Sequence, residues 1–322
     1  NGILCYITPD TWISLGYFKK LRELILKKYF LFKITESLHK IFEAVAVDNI
    51  VFWVRNRPQK KEDRLIVLNA SFREHRSLVL IPDESWTINL ELKPPLISKI
   101  DKGEKVGNYC EVWQGLIAYH SKNQPRTYSS KNKDSQFHRK LLFGSDIGRY
   151  LIKWRGEYLK YGEWLHRPRP SYIFDSPKIL VQRIRNPQLK RRIVATYDDQ
   201  GFINGAGLSN ILLKKEVQNA PLKYILGLLN SRIINYWFSY YFKDVNIKPD
   251  QLRKIPLRIG SKIDQGKITK LVDKILAITK DDHYLENSEK QAKVRDYEKQ
   301  IDQLVYKLYA LTPEEIKIVE NN

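Results

Sequence analysis

Apolar residues near the end of the chain recur at helical spacing. In QIDQLVYKLYALTPEEIKIVE (300–320), Ile301, Leu304, Val305 and Leu308 fall at i, i+3, i+4 and i+7, which predicts a one-sided helix. Thr312-Pro313-Glu314-Glu315 then predicts the start of a second: a hydroxyl cap, a proline whose missing N–H costs nothing, and acids in the first turn. Beyond Gly260 charged and apolar positions alternate at the same period. The run LKYILGLLNSRIINYWFSYYF (222–242) predicts one strong helix. Its Tyr236, Trp237, Tyr240 and Tyr241 fall at helical spacing and read as core, not as a base-stacking platform. Asn230 and Ser231, at its middle, are expected to hydrogen-bond locally.

The first part of the chain changes period. ILCYI (3–7) has the pattern of a short buried strand, and Thr8-Pro9-Asp10 opens a helix that keeps Phe18, Leu21, Leu24 and Ile25 on one face. IFEAVAVDNIVFWV (41–54) ends as a β-branched, aromatic strand. The polar turn RNRPQKKEDR follows, and then LIVLNASF (65–72). A strand, a helix, a strand and a strand pair predict α/β structure. Residues 73–100 show no clear period and read as a linker. From about 105 to 258 strands such as EVWQGLIAY and PKILVQRI are separated by polar loops, so this stretch reads as mixed and loop-rich.

Composition narrows the function classes. The chain has 56 Lys and Arg against 36 Asp and Glu, a formal charge of +20, and 43% hydrophobic residues, enough for a sizeable core. Residues 101–260 hold 29 Lys and Arg against 13 Asp and Glu, about +16, so the excess is concentrated in the middle and favours a polyanion. Cys5 and Cys110 are far apart and form no C-x-x-C, which suggests neither zinc nor a disulfide framework and fits a reducing cytoplasm. The apolar runs are too short for a membrane span. The first residues, NGILCYITPD, carry neither a basic n-region nor an initiator methionine, so the chain reads as a fragment of something longer.

The order of segments resembles a known family. NGILCYITPDTW, the KKLRELIL helix, IFEAVAVDNIVFWV, LLFGSDIGRYLIKWRGEYL with SPKILVQRI, LKYILGLLNSRIINYWF and the closing IDQLVYKLYALTPEEIKIVE together resemble the C-terminal half of adenine-specific N6 DNA methyltransferases of the fused type II restriction–modification kind, with a TaqI-like C-terminal specificity domain. The resemblance implies an α/β and α+β fold. Residues 1–97 would be the end of a class I methyltransferase sheet plus linker, 98–260 a mixed α/β target recognition domain, and 261–322 a helical C-terminal brace. It implies duplex DNA and an upstream methyltransferase domain of the same polypeptide as partners, and S-adenosylmethionine as cofactor of the intact protein. Two family motifs are lacking here. Asn204-Gly205-Ala206-Gly207 has no strand–helix context, and Lys93-Pro94-Pro95-Leu96 has the two prolines without the amide or aromatic that grip an extruded adenine. No catalytic or metal-binding residue is therefore expected, and the fragment alone should be silent.

The resemblance assigns Phe42 to stacking on the flipped adenine, beside its plainer reading as core ahead of a strand. Candidate DNA contacts fall in two clusters. The loop following Gln114-Gly115 offers Lys122, Asn123, Gln124 and Arg126, mixing groups that read base edges with groups that hold phosphates. VQRIRNPQLKRR (181–192) offers Arg183, Arg185, Lys190, Arg191 and Arg192 around an Asn186-Pro187 turn. On a strand, Arg183 and Arg185 would share a face. A solvated loop and an exposed basic hairpin tip are the plain alternatives. Two rival functions stand beside this. Pro82-Asp83 followed by Glu91-Leu92-Lys93 resembles a metal-dependent endonuclease pattern, with Asp83 and Glu91 as Mg²⁺ ligands and Lys93 steering water. A basic module binding nucleic acid without sequence preference, RNA included, would also account for the charge.

Overall fold

The computed structural model describes residues 2–38, 48–80, 86, 88, 90, 94–117, 128–165 and 168–321. The chain divides into two compact units, residues 1–95 and 96–322. Among the described residues no helix is long and apolar enough to cross a membrane.

The first unit is a five-stranded sheet with one helix. Its elements are β1 (Ile3–Pro9), α1 (Lys19–Lys28), β2 (Phe30–Thr35), β3 (Asn49–Arg55), β4 (Leu65–Leu68) and β5 (Glu74–Leu78). Their spatial order is β1-β3-β2-β4-β5, antiparallel except for the β2–β4 pair. Leu31, Ile34, Ile50, Leu65 and Val67 are wholly buried at its centre. Two expectations fail here. β1 is a strand but not a buried one: it forms the sheet edge, and Ile3 and Tyr6 are each 58% exposed. On α1 the buried face is Arg22, Ile25 and Leu26, while Phe18, Leu21 and Leu24 lie exposed. Arg22 is what the apolar pattern could not anticipate. Its wholly buried guanidinium donates to the carbonyls of Trp12 and Leu15, both at 2.7 Å, and of Trp86 at 2.9 Å, so the charge ties the chain ahead of α1 to the main chain at Trp86.

The second unit has three layers. It opens with α2 (Pro95–Ile100), and Pro95 is the helix's first residue, where proline is tolerated. The segment read as a linker thus contains both β5 and α2. A four-stranded antiparallel sheet follows, made of β6 (Cys110–Gln114), β7 (Lys178–Gln182), β8 (Ala195–Asp198) and β9 (Leu208–Leu213) in the order β8-β7-β9-β6. One face, with Val112, Ile179, Val181 and Ile211, packs into a large core shared with helices. The other face carries Leu180, Leu208 and Leu212, which pack with residues of a second small sheet. That sheet has the order Ile203–Asn204, Arg139–Leu142, Tyr158–Leu159, Ser129–Ser130.

The helical layer contains α3 (Leu222–Asn230), α4 (Arg232–Tyr241), α5 (Lys262–Thr279), α6 (Ser288–Leu308) and α7 (Pro313–Asn321). The single helix expected over 222–242 is broken at Ser231. That residue has extended backbone (φ −66°, ψ 155°), and its hydroxyl donates to the Leu228 carbonyl at 2.6 Å and caps α4 by accepting from the Ile234 amide. Asn230 reaches further than its own helix: its amide both donates to and accepts from the main chain of Ala195, at 3.0 and 3.1 Å, and so brackets the edge strand β8. Trp237 is buried core and donates to the Asp101 carboxylate, as does Tyr241. At the C-terminus, Thr312 is the hydroxyl cap that the sequence suggests, and Glu315 reciprocates: the Glu315 amide donates to the Thr312 hydroxyl at 3.3 Å and the Thr312 amide to the Glu315 carboxylate at 2.9 Å. Ile301, Val305, Tyr306, Tyr309 and Val319 belong to the same core as β7, so the terminal helices and the sheet are one packed body.

Candidate nucleic-acid interface

The arginine cluster is the best-defined of the sequence candidates. β7 ends at Gln182, whose amide donates to the carbonyls of Gly144 and Ile147 at 2.8 and 2.7 Å. The chain then stays extended and pairs with a new segment. The Arg185 amide donates to Val245, the Ile247 amide donates to Arg183, and Ile184 and Asn246 face each other as an antiparallel pair. Residues 183–185 and 245–247 thus make a short two-stranded ribbon. Asn186 begins the turn beyond it, accepting from the Gln188 amide at 2.9 Å.

The arginines brace this ribbon from behind. Arg183 donates to the carbonyls of Ala206 (2.6 Å) and Ile247 (3.2 Å). Arg185 donates to Gln182 Oε1 (3.3 Å) and the Arg191 carbonyl (2.8 Å). Both are half-buried, and burial lowers both pKa values, although an arginine remains charged. Arg192 requires a correction. It is wholly buried, donates to the carbonyls of Phe242 and Asp244, and lies over the Phe238 ring, so it cannot reach a phosphate. Arg191 is likewise committed to the interior. It donates to the Asn230 carbonyl at 3.1 Å and faces Asp302 of α6 at 3.6 Å, and burial lowers its pKa to about 10. Only Lys190 of the five is exposed, with its ammonium 3.3 Å from the Asn321 carbonyl. Adjacent arginines at a hairpin read as a solvated tip in one dimension. In three dimensions the terminal helices pack on that hairpin, and the guanidinium forks satisfy carbonyls where the regular ladder stops.

The remaining candidates, Phe42, Lys122, Asn123, Gln124 and Arg126, lie outside the described residues, as do Asp83, Glu91 and Lys93 of the endonuclease reading. The glycine-rich Asn204–Gly207 segment connects the small sheet to β9. The Gly205 amide donates to the Leu142 carbonyl at 3.0 Å, and a Cβ on Gly115 would come within 2.2 Å of the Gly205 oxygen. It is a tight strand-to-strand connection and does not fit a cofactor cradle.

A second surface was missed by the sequence reading. Across the outer face of the small sheet Ser130, Tyr158 and Lys140 stand in a row. Lys140 is exposed, and its ammonium lies 4.8 Å from the Trp154 ring centroid; Trp154 packs edge-on against Tyr158 at 5.0 Å. Lys160 lies over Trp164 at 5.4 Å, and Arg139 over Tyr161 at 5.7 Å while pairing with Asp175. Lys131, Lys133, Lys153 and Arg155 are exposed nearby in the chain. A cation–π contact leaves the charges of Lys140 and Lys160 unneutralised, whereas Arg139 is also ion-paired with Asp175. The signal was present in the interleaving of Lys153-Trp154-Arg155 with Tyr158-Leu159-Lys160-Tyr161, but these pairs only converge once the strands are placed.

Behind the sheets a lysine and an aspartate are fully buried. Lys178 and Asp198 face each other across β7 and β8 at 2.5 Å, and both are inaccessible. Asp198 also accepts from the amides of Gln200 and Phe202, and Lys178 donates to the Phe174 carbonyl. The pair therefore fixes the connection that launches the small sheet. On the helical side Asp302 accepts from the Arg232 amide at 2.7 Å and faces Arg232 Nε at 3.4 Å, while Glu298 pairs with Arg149 at 2.7 Å.

Residues 139–257 match the family of TaqI-like C-terminal specificity domains. A type II restriction enzyme and methyltransferase of Methanocaldococcus jannaschii is 24% identical over 281 residues, 80% of this chain and 22% of that protein. Among solved structures, the type IIL restriction–modification enzyme MmeI in complex with DNA aligns over 99% of this chain and 49% of its own, with 10% identity and a TM-score of 0.56. A nuclease-deletion mutant of the type ISP restriction–modification enzyme LlaGI in complex with a DNA substrate mimic aligns over 87% and 35%, with 11% identity and a TM-score of 0.50. The chain spans about a fifth of the curated relative and half or less of these two structures. Residues 139–257 are thus similar to TaqI-like C-terminal specificity domains, within a chain whose mixed α/β fold is similar to that of restriction–modification enzymes.

Proposed function

We propose that this chain recognises a sequence in duplex DNA as the specificity-bearing part of a restriction–modification adenine-N6 methyltransferase. The carrying observation is a coincidence of three features: the specificity-domain match, the basic and aromatic outer face of the small sheet, and the concentration of positive charge all fall in one segment. Lys131, Lys133, Lys140, Lys153, Arg155 and Lys190 would set the register on phosphates, while the amide and guanidinium groups of Asn123, Gln124 and Arg126 would face base edges beside Lys122. Arg183 and Arg185 add charge from behind the ribbon. Phe42 would stack on the extruded adenine.

The first unit is, on this reading, the end of a class I methyltransferase sheet whose remainder lies upstream in the same polypeptide. What supports it is β1, an edge strand with Ile3, Leu4, Tyr6 and Ile7 exposed, the condition of an inner strand whose neighbours are not present. In the intact enzyme S-adenosylmethionine would supply the methyl group, and this chain would select the site and present the base. The test is competition between duplex DNA and single-stranded RNA of the same sequence over a salt series. Duplex should win, with log K falling linearly against log salt. RNA binding as tight as duplex binding would sink the proposal.

A further inference from the structure

The two-stranded ribbon has an outer face that nothing in the fold uses. In an antiparallel pair, directly opposed residues project to the same side. The opposed pair here is Ile184 and Asn246. Ile184 is 68% exposed, the largest exposure of a large apolar side chain among the described residues between 96 and 260, and Asn246 is exposed as well. No hydrogen bond from the described residues engages the Asn246 side chain. The other side of the ribbon is anchored: Ile247 is wholly buried, Arg183 holds the Ile247 carbonyl, Arg192 holds the carbonyls of Phe242 and Asp244 that lead into that strand, and Arg185 holds the Arg191 carbonyl beyond the turn. Three arginines thus brace the ribbon behind one apolar and one amide side chain, and Lys190 and Lys243, both exposed, lie a few residues away along the chain.

We propose that this ribbon enters the major groove of duplex DNA and that Asn246 and Ile184 together read one A·T base pair. The inference rests on the DNA-recognition reading above. A major groove admits a two-stranded β-ribbon, asparagine pairs in bidentate fashion with adenine N6 and N7, and an aliphatic side chain packs on the thymine methyl group. The opposed pair presents these two chemistries side by side, as the two halves of an A·T pair require. The rigid backing matters because a reader must be held in place before it meets the base.

The test uses the whole chain, with duplexes selected by the unaltered protein from a randomised pool. The selected motif should contain an A·T pair whose preference disappears in Asn246→Ala while other positions and the salt slope are retained, with discrimination there falling about tenfold. Replacing the thymine of that pair by deoxyuridine, which removes only the methyl group, should weaken binding by the unaltered protein and have no effect on Ile184→Ala. Both substitutions are on exposed side chains, so unchanged thermal unfolding serves as the folding control. An identical motif from both variants would overturn the inference. So would a uniform loss on all sequences, which would make these residues backbone contacts. Failure of the unaltered chain to select any motif would instead overturn the recognition reading on which the inference depends.

Discussion

A wholly buried lysine among the strands is the sharpest residue-scale test of the fold. Lys178 and Asp198 meet at 2.5 Å with no access to solvent, so removing one leaves the other charge uncompensated. Lys178→Met is expected to cost about 3–5 kcal/mol in urea unfolding, whereas the double variant Lys178→Met/Asp198→Leu should recover much of that loss. An additive double variant would contradict the pairing. The cysteines give a second test. Cys110 is buried, and burial pushes its thiol up to about 12, while Cys5 lies exposed on β1. A thiol reagent at pH 8 should therefore modify Cys5 quickly and Cys110 only on unfolding; equal rates would mean that the β6 packing is wrong. Residue roles were the least legible part of the sequence. Arg191 and Arg192 have the composition of a nucleic-acid contact, and only the helices packed on them reveal that they are spent on carbonyls and Asp302.

At the scale of elements, polar side chains decide where regular structure begins and ends. The connection from β3 to β4 is closed by Arg57 and Asp63, paired through both nitrogens at 2.6 and 2.7 Å. The guanidinium holds the Asp63 carboxyl down at about 2, below its ordinary 3.8. Because the folded pKa is depressed, the contribution is present above the unfolded value and is lost as pH falls from about 4 to 2. A carboxyl titration followed by NMR should show Asp63 at about 2 and, in Arg57→Ala, back in the ordinary range. On α6, Asp302→Ala strips Arg191, Arg232 and the amide that opens α4 of their shared acceptor. A loss of about 3–5 kcal/mol is expected, read as a lower urea midpoint; an unchanged midpoint would mean that the terminal helices are not braced this way. Periodicity found these helices, the Thr312 start and strands β3, β4, β6 and β7, because each has a one-sided or continuous apolar pattern. It missed β5, whose Glu74-His75-Arg76 is polar, and the break at Ser231, where the apolar pattern runs on through a change of direction.

For the whole molecule, charge is what links fold to function. The excess of Lys and Arg between residues 101 and 260 is divided by the fold into buried or half-buried arginines that stiffen the ribbon and lysines that lie mostly at the surface. Counting charge in the sequence singled out the stretch that contains the specificity-domain match, because net charge does not depend on where side chains point. It could not separate the two populations, because that depends on packing between segments that are mostly tens of residues apart and, for Arg191 and Asp302, more than a hundred. The most direct test of the central claim is selection of duplexes from a randomised pool by this chain at near-physiological salt, followed by sequencing of what is retained. The account predicts an enriched motif containing a fixed adenine, with an A·T pair that depends on Asn246. Retention that is sensitive to salt but shows no enrichment would contradict it and leave only a basic surface.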